Sequence, residues 1–243
     1  MVKNLGWIAA GGLSIGVVCL SLAYAIGRDD MNDLADLGFS FGRSCDNNSA
    51  SVDSNKSERR WAWNGGDTVD IAVPATVHFR SGEGDEVIAR GSPYAISHIE
   101  VGGGRITLNC RGSVGSRDID ITLPGHAFRH VGISGSGNVV MENVNQPDLT
   151  LRISGSGTLR AQGTSDHVTV KISGAGRARL ADLVMKQLTV DISGSGNIEA
   201  APKDVADIKV SGSGNVKLLS HPSQLRSHVT GSGRITQAEG SGR

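Results

Sequence analysis

Aromatic side chains are scarce, at 4% of 243 residues, too few for a core built on large rings. There is no excess of charge of either sign, with 24 basic against 24 acidic residues and no block of like charge. A nucleic-acid binder needs a basic field to displace counterions from phosphates, so that class is excluded as a partner. Proline is limited to six residues and cysteine to three, and no CxxC or Cys/His cluster has the spacing of a zinc site. From Thr68 to Leu123 no segment carries a helical stripe. Glycine is what the chain has in excess. Its 34 residues are about twice the usual ~7% share. Regular Val, Ile and Leu accompany them, which argues against disorder and for a fold that turns often and tightly.

The only long apolar run is at the start. Lys3 precedes an uncharged stretch from Leu5 to Gly27, closed by Arg28, Asp29 and Asp30. Roughly 20 apolar residues span a bilayer as a helix. The run also ends in Ala23-Tyr24-Ala25, which fits a signal-peptide cleavage pattern. Residues 1–27 therefore read as a signal anchor or a cleaved signal peptide, and either sends the remainder out of the cytoplasm. An anchor holds the rest at the membrane on the extracytoplasmic side, in the periplasm or at the cell surface. A cleaved signal releases it as a secreted protein. Residues 28–60 read as a polar linker, with Phe39 and Phe41 as exceptions that cover the open end of the next domain or contact the membrane. Export permits a Cys45–Cys110 disulfide. The alternation Ile106/Leu108/Cys110 instead favours Cys110 as a free, inward-facing thiol that packs as a small hydrophobe.

From Thr68 to Leu123 the period is two, the signature of strands. The apolar sets are Val69/Ile71/Val73, Val77/Phe79, Val87/Ala89, Ile99/Val101, Ile106/Leu108/Cys110 and Ile119/Ile121/Leu123. Turn material separates them, including Gly91-Ser92-Pro93 and Gly102-Gly103-Gly104. This half is expected to be all-β.

The second half repeats. Ile133-Ser134-Gly135-Ser136-Gly137-Asn138-Val139 returns in variant form at Ile153, Ile172, Ile192, Val210 and Val229, at offsets of 20, 19, 20, 18 and 19 residues. A fixed period of this size means stacked units that bury their apolar sides only against one another. Within each unit an alternating strand leads into Gly-x-Gly and a second strand leads out. Gly-x-Gly is what a sharp strand-to-strand corner demands, because glycine reaches positive φ without steric cost. The prediction is an all-β, single-stranded parallel β-helix over residues 61–238, with about 18–20 residues per coil and a tail at 239–243. At the strand spacing of about 4.8 Å, six repeats make a rod about 30 Å long, plus the coils of the first half. Stacking should align Ser134, Ser154, Ser173, Ser193, Ser211 and Thr230 in one outward column, small hydroxyls that can bond between coils. Asn138, Thr158, Arg177, Asn197, Asn215 and Arg234 form a second, partly an asparagine ladder. The inward columns are expected to be aliphatic throughout.

On these residues the chain resembles the bacterial family named "putative auto-transporter adhesin, head GIN domain". The repeated Ile-Ser-Gly-Ser-Gly-Asn-Val phrase carries the likeness, together with Asp118-Ile119-Asp120-Ile121-Thr122-Leu123-Pro124 just before it. It covers roughly residues 65 to 236. The resemblance implies an exported β-helix and adhesion. The residues after Ile235 hold no translocating barrel, so an inner-membrane anchor would leave the solenoid in the periplasm of a two-membrane cell.

The search for chemistry ends without a site. No Gly-x-Gly continues as GxGxxG into a helix or as a P-loop, and the residue after each second glycine is Asn, Thr or Arg rather than a calcium-ligating Asp. The seven histidines, His78, His98, His126, His130, His167, His221 and His228, form no HxH or HExxH pair. Outside the apolar N-terminal run, no Ser sits in a Gly-x-Ser-x-Gly elbow. Asp118 and Asp120 share one face of a strand, which reads as a solvated face rather than the carboxylate pair of a polysaccharide lyase or hydrolase. Trp61 and Trp63 read as a cap on an exposed core end, with sugar stacking as the functional alternative. Expected catalytic, cofactor-binding and metal-binding residues are therefore none, and no cofactor is expected. The expected partners are an envelope glycan or protein ligand, the membrane through the N-terminal helix, and a second copy through the solenoid ends. The function expected is a non-enzymatic envelope binding or scaffolding module, with a polysaccharide-active enzyme as the alternative.

Overall fold

In the computed structural model, residues 56–82, 84–110 and 119–238 are described. The chain divides into two units, Met1–Arg43 and Ser44–Arg243, and all described residues belong to the second. The signal or anchor at 1–27, Phe39, Phe41 and most of the expected linker lie outside them. Among the described residues no helix is long and apolar enough to cross a membrane.

Alternation dictates the strands, and repetition stacks them. Strands β9 (Asn138–Gly155), β10 (Thr158–Gly174), β11 (Arg177–Gly194) and β12 (Asn197–Gly212) each make one circuit of the chain. They pair parallel and in register, β9 to β10 to β11 to β12. Strands β13 (Asn215–Leu218), β14 (Gln224–Gly231) and β15 (Arg234–Gln237) complete the stack, β13 and β14 on β12 and β15 on β13. The result is a β-solenoid of about five turns.

Each corner needs its two glycines for different reasons. Gly155 sits at φ +119°, and a Cβ there would lie 2.6 Å from the carbonyl oxygen of Gly135 in the turn below. Gly157 has no such φ, but its Cβ would lie 2.7 Å from Ile133 Cγ2. One glycine makes the bend and the other leaves room for the isoleucine beneath. Corners are tied by backbone bonds from turn to turn, Ser156 N donating to Gly135 O at 2.8 Å and Ala175 N to Gly155 O at 2.8 Å. Gly135, Gly155, Gly174, Gly194, Gly212 and Gly231 consequently stand in one line.

Inside, Ile153, Ile172, Ile192 and Val210 form one column, and Leu151, Val170, Val190 and Ile208 another, all essentially inaccessible. Burying each such side chain contributes about 1.5–3 kcal/mol. One column departs from the aliphatic expectation. Gln146, Ser165, Met185 and Pro202 are aligned at the bend between the long sides of each turn. Ser165 is fully buried, donating to Pro147 O at 3.3 Å or His167 O at 3.4 Å. Gln146 Nε2 donates to Phe128 O at 2.8 Å. Side chains at this bend donate to main-chain carbonyls, as does Ser220 Oγ to Pro202 O at 2.6 Å. The two apolar members, Met185 and Pro202, fill the same position without a side-chain donor.

The first half is not a simple set of coils. Strands β2 (Thr68–Ala72) and β3 (Thr76–Arg80) pair parallel with the first turn, through β8 (His130–Gly135) and β9. On their other side lie β6 (Arg105–Leu108) and β7 (Asp120–Thr122), also parallel. The direction then reverses. Strand β4 (Glu86–Gly91) runs antiparallel on β7, β1 (Ser57–Ala62) antiparallel on β4, and β5 (Ile99–Gly102) antiparallel on β6. This reversal closes the rod, and the charged Glu58-Arg59-Arg60 run on β1 blunts its edge.

One short helix, α1 (Pro93–Ser97), interrupts the strands of this otherwise all-β half. The Ser92 side chain caps it by accepting from Ala95 N at 3.3 Å, and proline occupies its first turn. Five residues are too few to show helical periodicity. Cys110 is disulfide-bonded, which corrects the free interior thiol. It is half-buried and packed against the edge of the core, just past the end of the strand at Leu108. Its partner lies outside the described residues.

Candidate binding groove

Outward side chains on a solenoid inherit the register of the backbone. The serine column is present, Ser134 to Thr230, every member exposed. Its hydroxyls form no bonds to one another, contrary to expectation, and Thr230 Oγ1 instead lies 3.3 Å from His228 Nε2. Strands about 4.8 Å apart hold these short side chains beyond the reach of an O–H···O bond. In the column after the corner the longer asparagines do meet, with Asn215 Nδ2 donating to Asn197 Oδ1 at 3.2 Å.

A groove of about 580 Å³ runs across the last turns, lined by Arg177, Arg179, Asn197, Glu199, Asn215, Lys217, Arg234 and Thr236. Two columns supply it. Arg177, Asn197, Asn215 and Arg234 are successive partners, as are Arg179, Glu199, Lys217 and Thr236 two residues on. Glu199 is its one carboxylate, 4.0 Å from Lys217. None of Arg177, Arg179 and Arg234 has an ion-pair partner among the described residues. By contrast Arg160, one turn below Arg179, is paired with Asp182 at 2.6 Å. No charge block in the sequence announces this cluster, because its members stand far apart along the chain.

Trp61 and Trp63 occupy the opposite end. Trp63 packs edge-on against the fully buried Phe128 at 5.4 Å, and its indole N–H donates to Gly66 O at 2.9 Å. Phe128 in turn meets Phe79 at 5.4 Å. Trp63 therefore caps the core. Trp61 lies under the Arg59 guanidinium at 4.9 Å and borders a second concavity of about 520 Å³ with Glu100, Arg105 and Asn109. The guanidiniums of Arg90 and then Arg60 donate to Glu58 and hold its carboxyl below the usual carboxylate value, while Glu58 raises Arg60.

The histidines are dispersed. His126 packs tilted against Phe128 at 4.6 Å, His98 Nδ1 lies 2.8 Å from Tyr94 O, and His167 lies 3.3 Å from Asp148. Among the described residues no three metal-ligating side chains converge. Asp120 is exposed, and Asp118 lies outside the described residues.

The sequence pattern of the family "putative auto-transporter adhesin, head GIN domain" matches residues 94–222. The chain belongs to this family. Solved structures share this fold at low identity. A putative adhesin from Bacteroides fragilis aligns with a TM-score of 0.60 and 17% identity over 76% of this chain and 97% of its own. A putative lipid binding protein from Parabacteroides distasonis aligns with a TM-score of 0.51 and 13% identity over 77% and 98%. No curated protein shows significant similarity.

Proposed function

We propose that the solenoid is a non-enzymatic, adhesin-like binding module of the cell envelope, displayed on the extracytoplasmic side. The apolar run Leu5–Gly27 supports export and membrane attachment, and membership of a family named for adhesins supports an envelope role. The observation that carries the reading is the in-register array of polar side chains on the outer faces, gathered into one groove. A repeated, open, hydrogen-bonding surface suits a repeated ligand, a glycan or an extended protein, held by many weak contacts.

The purified chain should be retained on envelope material and on some member of a glycan panel, without releasing products from it. No retention on any glycan or envelope protein would refute the reading. New reducing or unsaturated ends would favour the alternative, a polysaccharide lyase or hydrolase. Cell fractionation with N-terminal sequencing of the mature protein tests the location and separates a retained anchor from a cleaved signal.

The last turn is a second contact, in this proposal to another copy of the chain. Strands β14 and β15 have no strand on their outer side among the described residues, and Leu219, Leu225 and Val229 are exposed there. Open edges and uncovered core ends recruit partners.

A further inference from the structure

We infer that the groove bounded by Arg177 and Arg234 binds an acidic polysaccharide, a chain bearing carboxylate or sulfate groups along its length. This rests on the binding-module reading and names its ligand class. The whole chain is neutral, yet this one groove gathers four cations against a single carboxylate. Three of the four are arginines without an ion-pair partner among the described residues, and Glu199 reaches Lys217 only at 4.0 Å. Unpaired guanidiniums present a planar fork of donors matched to carboxylate and sulfate oxygens.

The cations are spaced, not bunched. Arg177 and Arg234 stand three ladder steps apart, about 14 Å, and Arg179 and Lys217 two steps, about 10 Å. A single small anion cannot touch both ends, whereas a polymer with anionic groups at intervals can. Between the arginines the linked amides of Asn197 and Asn215 offer donors and acceptors for hydroxyl groups. That mixture fits a charged sugar chain. Single-stranded nucleic acid would require stacking rings, and the groove has none. An acidic peptide would seek apolar pockets for its side chains, but the aliphatic residues in the lining, Ile198 and Val216, are sealed at 1% exposure.

The test uses the full chain in calorimetric or interferometric titrations with polygalacturonate oligosaccharides, a sulfated oligosaccharide, neutral dextran and polyglutamate. Binding is expected to one or both acidic sugars, weakening steeply with salt, and not to dextran. The two acidic arms tell carboxylate from sulfate preference. The double variant R177Q/R234Q should weaken binding at least tenfold while its thermal unfolding stays unchanged. R152Q/K171Q removes the same charge from another exposed face and should bind as the parent does. Equal losses in the two double variants, binding to polyglutamate as tight as to the sugars, or no binding to either acidic sugar would overturn the inference. Retention on envelope material that survives R177Q/R234Q would overturn this ligand assignment and leave the binding-module reading standing.

Discussion

Asn215 reaches Asn197 across one turn of the solenoid, amide to carbonyl at 3.2 Å, while Ser211 and Ser193 hold the same register one corner earlier and do not bond. The difference is side-chain length. An amide group spans the gap between neighbouring turns and a hydroxymethyl group does not, so a column of identical residues is a ladder only when its members are long enough.

Substituting a corner glycine should be costly in proportion to what lies beneath it. Gly174 has φ +116°, and an added Cβ would lie 2.7 Å from Gly155 O. Gly135 has φ +95° with nothing within 4 Å. Strain alone costs about 1–2 kcal/mol, so G135A should lose about that. G174A must also displace backbone and should lose about 3 kcal/mol or more. Denaturant unfolding followed by circular dichroism measures both, and equal losses would refute the account.

Ser165→Ala should cost about 1 kcal/mol despite creating a more apolar interior, because it removes a buried hydroxyl that donates to a main-chain carbonyl. Ser165→Val should be worse, since it loses the donor and overfills the bend. A stabilised valine variant in the same unfolding assay would show that the bend needs no donor.

Acid should loosen the capping strand β1. The Glu58 carboxyl is held below its usual 4.5 by Arg90 and then Arg60. Its stabilising contribution is therefore fully present above pH 4.5 and is lost as pH falls through the lowered folded value. Amide exchange of Arg59–Trp61 should quicken over that window. In E58Q it should be faster at neutral pH and lose this pH dependence. An unchanged profile in E58Q would assign the acid response to another group.

If the last turn joins copies of the chain, sedimentation should show association that rises with concentration. L225K/V229K should return the protein to a monomer. A parent chain that stays strictly monomeric at high concentration would end that proposal.

The period, the corners and the inward columns of the second half were legible because Gly-x-Gly recurs at fixed offsets and alternation runs between the copies. The cap was not. Strands β6 and β7 follow β2 and β3 in sequence yet lie outside them in the stack, and nothing in an alternating strand states its direction or its neighbour. Helix α1 is too short to show a stripe, and its only signal was Ser92 before Pro93. The arginine groove was half visible. Arg177 and Arg234 were aligned in the predicted column, but their unlike neighbours made the column read as an asparagine ladder. Writing the positions two residues on in the same alignment brings in Arg179 and Lys217 and exposes the charge.

The turns differ in length, and one bend takes up the largest part of that difference. Leu180 to Met185 in one turn faces only Ala200 to Pro202 in the next, while the glycine corner and the groove strands stay in step. The rod thus has a seam along which material can be added without shifting the groove strands. A foreign loop spliced between the exposed Ala181 and Asp182 should be displayed on the flank with the fold retained.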